Sequence, residues 1–495
     1  MMWKHLMSGT AVMMLVGCTA IPTPLSQQDN AMTAAALKQG ATEGQEPVTG
    51  AIDLYEAMAR ALKYNLDHRV AMMEFDLARR DYDLSKWDML PQMVANGGYY
   101  GRNNDAGASS LSLLSGRQSL EPSTSTERDV FNADLTASWN ILDFGLSKIR
   151  AEQLGDESLI YQERRRKAII QLMEDVHRAY WRALSAQRLG NRLAALEADV
   201  QKSFDDSRRL YQGRRTAPMP ALSYQRELND IQAQAQRMQR ELGMAKIELA
   251  ALMNLPAGTE FTLKMPDRLT SPGRISMPFE EMVDLALQNR PEIRESSYAI
   301  RIGEAGIRKA ALEALPGLQL YGGANADSND FLYNKDWISW GAKASWNLMK
   351  VFETPTRKKR AEAKLALEKE RALAAAMAVM SQVSIARARY DALIKEYATA
   401  ERGTMVQSDI LNQITAMSRA RSASKQSLVR EQMNAIISEA RRDATHAELQ
   451  EAAANIYTAM GYDPYGADVT GREDVKTLAE SLRVLWIARS KAPGQ

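Results

Sequence analysis

The chain has 495 residues, of which 45% are apolar and 25% are charged, and its net charge is +2. This composition is typical of a packed protein and excludes a disordered chain. The near-zero net charge gives no sign of a nucleic-acid partner, and a single cysteine, Cys18, excludes an intrachain disulfide bond.

The N-terminus has the layout of a signal peptide, in which a basic start precedes a short apolar run. The run ends in Leu15-Val16-Gly17-Cys18, which resembles a bacterial lipobox, where the cysteine is lipidated and becomes the mature N-terminus. We therefore predict a signal peptide over residues 1–17 and a lipid anchor at Cys18. The alternative is an ordinary signal peptide with an incidental cysteine. Thr19 stands where an aspartate would resemble an inner-membrane retention signal, which favours the outer membrane.

The rest of the chain contains one long unit twice. The stretch that begins at Leu54 aligns without gaps with the stretch that begins at Phe279, at an offset of 225 residues. The tetrapeptide Ala-Ser-Trp-Asn occurs at 137–140 and again at 344–347, where the offset has fallen to 207. The residues that the second copy lacks lie within 106–128, a Ser/Gly-rich stretch typical of a loop. This pattern predicts two copies of a unit made of a helix, two strands and a long helical hairpin.

Each copy contains two candidate strands. Strict alternation of apolar and polar residues over 131–141 and 338–348 predicts strands with one apolar and one polar face. Their length is also about what a tilted strand needs to cross a bilayer; the alternative is a half-buried strand of a soluble sandwich. Residues 92–103 and 317–325 alternate more weakly. Their paired glycines, Gly97-Gly98 and Gly322-Gly323, suggest a bend or a bulge.

Very long helices follow the strands. No proline interrupts 147–211 or 357–441, and sixty-odd helical residues extend roughly 100 Å. Along the first stretch, apolar or small residues recur at spacings of four and three, which predicts a coiled-coil seam with a phase slip near Gln187. The seam consists of Ile169, Met173, Val176, Tyr180, Ala183, Leu189, Leu193, Leu196 and Val200.

Four strands are too few to enclose an interior, and an open sheet edge is not tolerated in lipid. If these strands cross a membrane, strands from several chains must therefore form one closed barrel. The sequence predicts an oligomer on this ground.

From about residue 52 to residue 464, this order of elements resembles the TolC-like outer-membrane channel proteins, in their lipoprotein branch. The resemblance implies an α+β membrane protein that forms a homotrimer. Twelve strands would form an outer-membrane β-barrel, and twelve helices would continue it as a periplasmic α-helical barrel. The implied divisions are a signal peptide (1–17), a lipid-anchored segment (18–50), a first repeat (51–256), an equatorial linker (257–278), a second repeat (279–464) and a C-terminal equatorial segment (465–495).

The resemblance also implies a function. Such proteins are passive export conduits across the Gram-negative outer membrane, opened on docking to a periplasmic membrane-fusion adaptor and an inner-membrane pump of RND, ABC or MFS type. We expect efflux of small molecules, which the lipobox favours. A type I protein-secretion channel and a lipid-anchored periplasmic coiled-coil scaffold that opens no pore remain alternatives.

By the same resemblance, two hairpin turns near 213–220 and 417–424 form the periplasmic gate and the adaptor-docking tips. The family's tip glycine has a match in Gly213, and the second turn has none. Both turns lack acidic residues, so a trimer would carry a basic ring that favours anions. The alternative is that these side chains face outward. The basic residues are Arg208, Arg209, Arg214, Arg215, Arg226, Arg419, Arg421, Lys425 and Arg430.

Four tryptophans lie in or beside the strands, where they fit the aromatic girdle of a membrane barrel; core packing is the alternative. They are Trp139, Trp337, Trp340 and Trp346. His68, His177 and His446 match no metal-ligand spacing, and no nucleophile motif or phosphate-binding loop is present. We therefore predict no enzyme activity, no metal site and no cofactor.

Overall fold

The computed structural model of the chain describes residues 23–119, 121–213, 217–265, 275–420, 422–461 and 473–490. The predicted signal peptide and Cys18 lie outside these residues. Within the described ranges, none of the helices combines the length and the apolar character needed to cross a membrane.

The elements repeat as the sequence alignment predicts. The long helix of each copy has 72 residues and its partner has 35, so the two hairpins match in length. Helix α1 (Gln27–Ala41) precedes the first copy and α10 (Val475–Ser490) follows the second. The first copy comprises α2 (Leu54–Tyr64), α3 (Leu66–Ser85), β1 (Gln92–Gly101), β2 (Asp129–Asn140), α4 (Ile141–Gln212) and α5 (Pro218–Leu252). The second comprises α6 (Phe279–Asn289), α7 (Pro291–Leu312), β3 (Gly317–Asp327), β4 (Asp336–Ser345), α8 (Leu348–Arg419) and α9 (Lys425–Ala459).

The strands form one antiparallel sheet in the order β1-β2-β3-β4, so β1 and β4 are its edges. Below the sheet, helices α3, α4, α7 and α8 pack side by side in the corresponding order. Helix α3 leads into β1, α4 continues β2, α7 leads into β3 and α8 continues β4. The sheet and the helices therefore form one continuous wall, which is open at β1 and α3 on one side and at β4 and α8 on the other.

The paired glycines do not form a bulge, so this part of the prediction is wrong. The registers of all three strand pairs run without interruption through Gly97-Gly98 and Gly322-Gly323. A Cβ atom at Gly98 would lie 2.4 Å from Asn132 Oδ1, and one at Gly323 would lie 2.8 Å from Thr136 Oγ1. These two glycines make room for polar side chains of the neighbouring strand β2.

The strands end earlier than the alternation predicts, because the last residue of Ala-Ser-Trp-Asn caps a helix. Asn140 Oδ1 accepts a hydrogen bond from the backbone N–H of Leu142 at 3.0 Å, and Asn347 Oδ1 accepts one from that of Met349 at 3.1 Å. A side-chain acceptor at this position satisfies a backbone donor of the first helical turn. Helix α8 consequently begins at Leu348, before the predicted start, and contains Pro355.

The predicted seam of α4 is confirmed. All nine of its residues are buried, and its lower part packs with α5 and α9, where Leu193, Leu228 and Met433 belong to one cluster. At the predicted phase slip, the Gln187 side chain turns to the linker between the repeats. It donates to Leu263 O at 2.9 Å and accepts from Leu263 N at 2.7 Å.

The N-terminal segment, the linker and the C-terminal helix meet beside α2 and α4. Ile52 pairs in parallel with Leu263. The Glu46 carboxylate accepts hydrogen bonds from Lys63 at 2.7 Å and from the backbone N–H of Val475. Leu478 and Leu482 of α10 join the same buried cluster. This arrangement supports an equatorial layer, although the exact domain boundaries stay predictions.

Candidate functional sites: the two-faced sheet and the helical tip

One face of the sheet is apolar across all four strands. Directly paired residues share a face, so the register places Leu135, Ala95, Ala324 and Ile338 in one row. Ile338 and the neighbouring Trp340 are 80% and 83% exposed. A continuous apolar surface of this kind marks a contact with lipid or protein.

The opposite face of the sheet is polar. Asn96 donates to Asp134 at 3.0 Å, and Asn325 donates to the Ser339 hydroxyl at 2.9 Å. Lys343 and Gln319 share this face, since they pair within the same register. Apolar residues on one face and polar residues on the other are the pattern of strands that separate lipid from an aqueous interior.

Aromatic side chains mark both ends of the apolar face. Tyr99 and Phe131 pack at 4.8 Å between ring centroids at the loop end, and Trp139 and Phe144 pack at 5.5 Å at the helix end. The eight positions from Phe131 to Trp139 span about 26 Å along the strand, which at a strand tilt of about 40° corresponds to about 20 Å of height, most of the apolar band of an outer-membrane barrel, about 25 Å tall. Sequence reasoning missed Tyr99 and Phe131, although the alternation places both on the apolar face.

The four predicted girdle tryptophans are all exposed in the chain, but they do not share one face. Trp340 lies on the apolar face with Trp139, and Trp346 follows β4 at the helix end, where its indole N–H donates to Ala314 O at 3.0 Å. Trp337 pairs with Asn325 and therefore lies on the polar face. Of the four, Trp337 is the one that we leave out of the girdle.

The helical tip consists of the two hairpin turns. Helix α4 ends at Gln212 and α5 begins at Pro218, while α8 ends at Arg419 and α9 begins at Lys425. Gly213 has φ −75°, a backbone conformation open to any residue, so the turn does not require glycine there. Arg214, Arg215 and Arg421 lie outside the described residues.

Two acidic residues, Asp206 and Glu227, pair with part of the basic tip. Asp206 accepts from Arg209, and the Lys425 ammonium lies 3.9 Å from its carboxylate. Glu227 pairs with Arg430 and accepts from Gln426 at 2.6 Å. Because α5 carries Glu227 and α9 carries Arg430, these contacts connect the two hairpins.

These contacts also shift the pKa values of the acids. The hydrogen bond from Arg209 lowers the pKa of Asp206, and that from Arg430 lowers the pKa of Glu227. Both carboxylates are therefore ionised at neutral pH. Sequence reasoning missed this pair, although the spacing of three residues between Asp206 and Arg209 on a helix could have indicated it.

Other cations of the tip remain without such partners. In the described part of the chain, Arg208, Arg226 and Arg419 are exposed and form no ion pair. The basic excess predicted from the sequence is therefore reduced by two acids but not removed.

The histidines serve in packing. His68, His177 and His446 are at most 3% exposed. His177 and His446 both lie against Trp181, with ring centroids 6.3 and 4.9 Å away, although they are far apart in sequence. Over the residues that the structure describes, no group of three or more His, Cys, Asp or Glu side chains could hold a metal ion.

Comparison with known proteins gives a family and relatives. Residues 57–255 match the outer membrane efflux protein family. The cation efflux system protein CusC of Escherichia coli K12 is 24% identical over 308 residues, which are 60% of this chain and 60% of CusC. The match therefore spans less than two thirds of that relative. The probable outer membrane lipoprotein SilC of Salmonella typhimurium is 22% identical over 377 residues, 71% of this chain and 73% of SilC.

Solved structures share the fold. The open state of the MtrE outer membrane channel of Neisseria gonorrhoeae has a TM-score of 0.62 at 18% identity and covers 82% of this chain and 88% of MtrE. The CmeC outer membrane channel of Campylobacter jejuni has a TM-score of 0.64 at 14% identity and covers 94% of this chain and 98% of CmeC. The chain thus has the fold of outer-membrane channel proteins, as the sequence predicts.

Proposed function

We propose that the chain is an outer membrane efflux protein of the TolC-like type and serves as the outer-membrane channel of a tripartite export system. It gives small molecules a passive route from the periplasm to the exterior of a Gram-negative cell. The observation that carries this proposal is the two-faced sheet, which continues without a break into a wall of long helices.

The wall is incomplete in a single chain. Its strand edges, β1 and β4, carry unpaired backbone groups that lipid does not tolerate. A copy of the chain on each side satisfies them by pairing β4 of one copy with β1 of the next. Three copies would close twelve strands, which is sufficient for an open interior. This supports the homotrimer implied by the family resemblance.

Cys18 is the proposed lipid anchor, because it ends the sequence that resembles a lipobox. The description of SilC as a probable outer membrane lipoprotein supports this placement. The two hairpin turns are the proposed gate and the docking site for a periplasmic adaptor, which connects the channel to an inner-membrane pump.

The exposed arginines at the tip support a preference for anionic or acidic cargo. Arg208, Arg226 and Arg419 would be present three times around a narrow mouth, where like charges concentrate anions. The relative CusC is named for cation efflux, so this preference distinguishes the chain from that relative. The names of CusC and SilC give no support to the alternative of protein secretion.

The test is electrical. Protein purified from outer membranes is examined for trimers that dissociate on heating, and its conductance is recorded in planar bilayers under a salt gradient. We expect trimers, a small conductance and an anion preference. Changing Arg208, Arg226 and Arg419 together to Gln should remove the preference. Arg371→Gln, at an exposed site on α8 where the arginine pairs with Glu368, is the control that should retain it.

Each failure has a separate meaning. Trimers that conduct with a cation preference would contradict the anion hypothesis and leave the channel intact. A preparation with neither trimers nor conductance would contradict the channel and support the lipid-anchored scaffold.

A further inference from the structure

A groove of about 1020 Å³ lies where helices α3 and α4 meet the sheet. Its sheet end is lined by apolar groups, among them Leu90, Trp139 and Phe144. Trp139 belongs to the apolar face of the sheet, so the groove opens on the side that we propose to face lipid. It lies between α3 and α4 of one chain, next to the β1 and α3 edge of the wall.

Cationic groups follow the apolar end of the groove. Lys86 and Lys148 line its middle, and Arg301 lines its far end. Lys148 lies in the second turn of α4, about 10 Å along the helix axis from its first residue. The groove is therefore amphipathic along its length, with apolar groups beside the membrane and cations further from it.

The acids of the groove do not neutralise Lys148. Asp156 pairs with Arg301, and Glu152 pairs with Arg308 at 2.9 Å. Lys86 pairs with Asp83 at 2.8 Å and also lies over the Tyr82 ring. Lys148 is exposed, and within the described ranges no carboxylate lies within ion-pair distance of it. It is the lining cation that is available to an anionic ligand.

We propose that this groove binds one anionic phospholipid from the periplasmic leaflet of the membrane. The acyl chains lie on Leu90, Trp139 and Phe144, and the phosphate lies at Lys148. This inference rests on the proposed function for the position of the sheet in the membrane.

The dimensions and the chemistry agree with this ligand. The headgroup layer on each side of the hydrocarbon core is about 5–8 Å thick. An extended lysine side chain can bridge the remaining distance from Lys148, because its apolar stem lies on the groove while its ammonium reaches the phosphate. Lysine binds phosphate as a point charge, and tryptophan prefers the interface between lipid and water.

The second repeat supplies a matched control. Lys358 occupies the position on α8 that aligns with Lys148, at an offset of 210 residues. Unlike Lys148, it has a carboxylate partner, Glu362, at 3.8 Å. Both lysines are exposed and lie near the start of a long helix, so reversing either charge perturbs the fold similarly.

The test is a lipid titration of the detergent-purified protein, followed by native mass spectrometry. Phosphatidylglycerol is the anionic probe, and phosphatidylcholine is the neutral one. We expect one tightly retained phosphatidylglycerol per chain. Lys148→Glu should weaken the retention of phosphatidylglycerol about tenfold and change that of phosphatidylcholine little. Lys358→Glu should retain phosphatidylglycerol as the unchanged protein does. Equal retention by Lys148→Glu, or equal loss in Lys358→Glu, would overturn the proposal.

Two further measurements separate the remaining outcomes. The first compares phosphatidylglycerol binding by the lipidated protein and by a Cys18→Ser protein. If only the Cys18→Ser protein binds it, the groove holds the acyl chains attached to Cys18, and the proposal is overturned. If Lys148→Glu does not fold, the salt dependence of phosphatidylglycerol binding to the unchanged protein decides, because an electrostatic contact must weaken with salt. Trimer formation and conductance are recorded on the same samples. If the protein forms no conducting trimers but Lys148→Glu still lowers phosphatidylglycerol retention, the proposed channel function is contradicted and the lipid site is not.

Discussion

At the scale of single residues, the most buried charged contact between the two hairpins is centred on Asp443 of α9. Its side chain accepts from the Ser185 hydroxyl and from Arg442, each at 3.1 Å, and pairs with Arg188 of α4. Asp443 is 6% exposed. A buried carboxylate with several donors is costly to remove, because the cations around it are left without a partner.

We expect Asp443→Ala to lower the free energy of unfolding by about 3 kcal/mol. Glu439→Ala is the control, since Glu439 joins the same two helices through Arg192 but lies nearer to solvent. Exposed pairs contribute about 1 kcal/mol or less. Chemical denaturation of the detergent-solubilised protein measures both, and equal losses would show that burial does not determine the strength of these contacts.

At the scale of elements, the passage from strand to helix is built by four residues that occur twice. In Ala-Ser-Trp-Asn the tryptophan stands at the helix end of the sheet, and the asparagine caps the helix that follows. Strand β2 therefore passes directly into its 72-residue helix, and two residues, Trp346 and Asn347, separate β4 from the second such helix. This direct connection allows one wall to change from sheet to helices without a gap.

Substitution of two adjacent glycines of β3 should affect stability differently, because their surroundings in the sheet differ. A Cβ at Gly323 would lie 3.0 Å from the carbonyl oxygen of Leu135, whereas at Gly322 the nearest atom is 3.8 Å away. We expect Gly323→Ala to cost about 1–3 kcal/mol through overpacking and Gly322→Ala to be nearly neutral. The heating temperature at which extracted oligomers dissociate measures both, and equal temperatures for the two variants would contradict the argument.

At the scale of the whole molecule, Glu227 connects one hairpin to the other at the tip. Each exposed pair of this kind contributes about 1 kcal/mol or less, but three copies would act together in a trimer. The pKa of Glu227 is lowered from its ordinary value of 4.5. Its contribution is therefore present above that pH and is lost as the pH falls through the lowered value.

We accordingly expect the closed-state conductance to stay constant from pH 7 to pH 5 and to rise only below the ordinary glutamate pKa of 4.5. Glu227→Gln should raise the conductance at neutral pH and remove most of the acid-induced increase. Glu431→Gln is the control, because Glu431 bonds to Gln407 within its own hairpin at 2.7 Å. Conductance of Glu227→Gln that matches the unchanged protein at every pH would show that this contact does not hold the tip closed.

Much of this protein is determined by the sequence alone, because its signals are local and periodic. The alternating strands and the seam from Ile169 to Val200 follow from spacings of two and of three to four residues, and the duplication follows from aligning the chain with itself. Such periodicities depend on the geometry of a single strand or helix, and the structure confirms them.

Only the tertiary structure decided which distant residues meet. The glycine pairs proved to accommodate Asn132 and Thr136, because space is set by the neighbouring strand rather than by the local sequence. Trp337 fell on the polar face through its register. Glu227 forms an ion pair with Arg430, and Lys86 lines the same groove as Lys148, because helices that lie far apart in the chain pack together. Contacts of this kind depend on how whole elements are placed, which no local pattern of residues specifies.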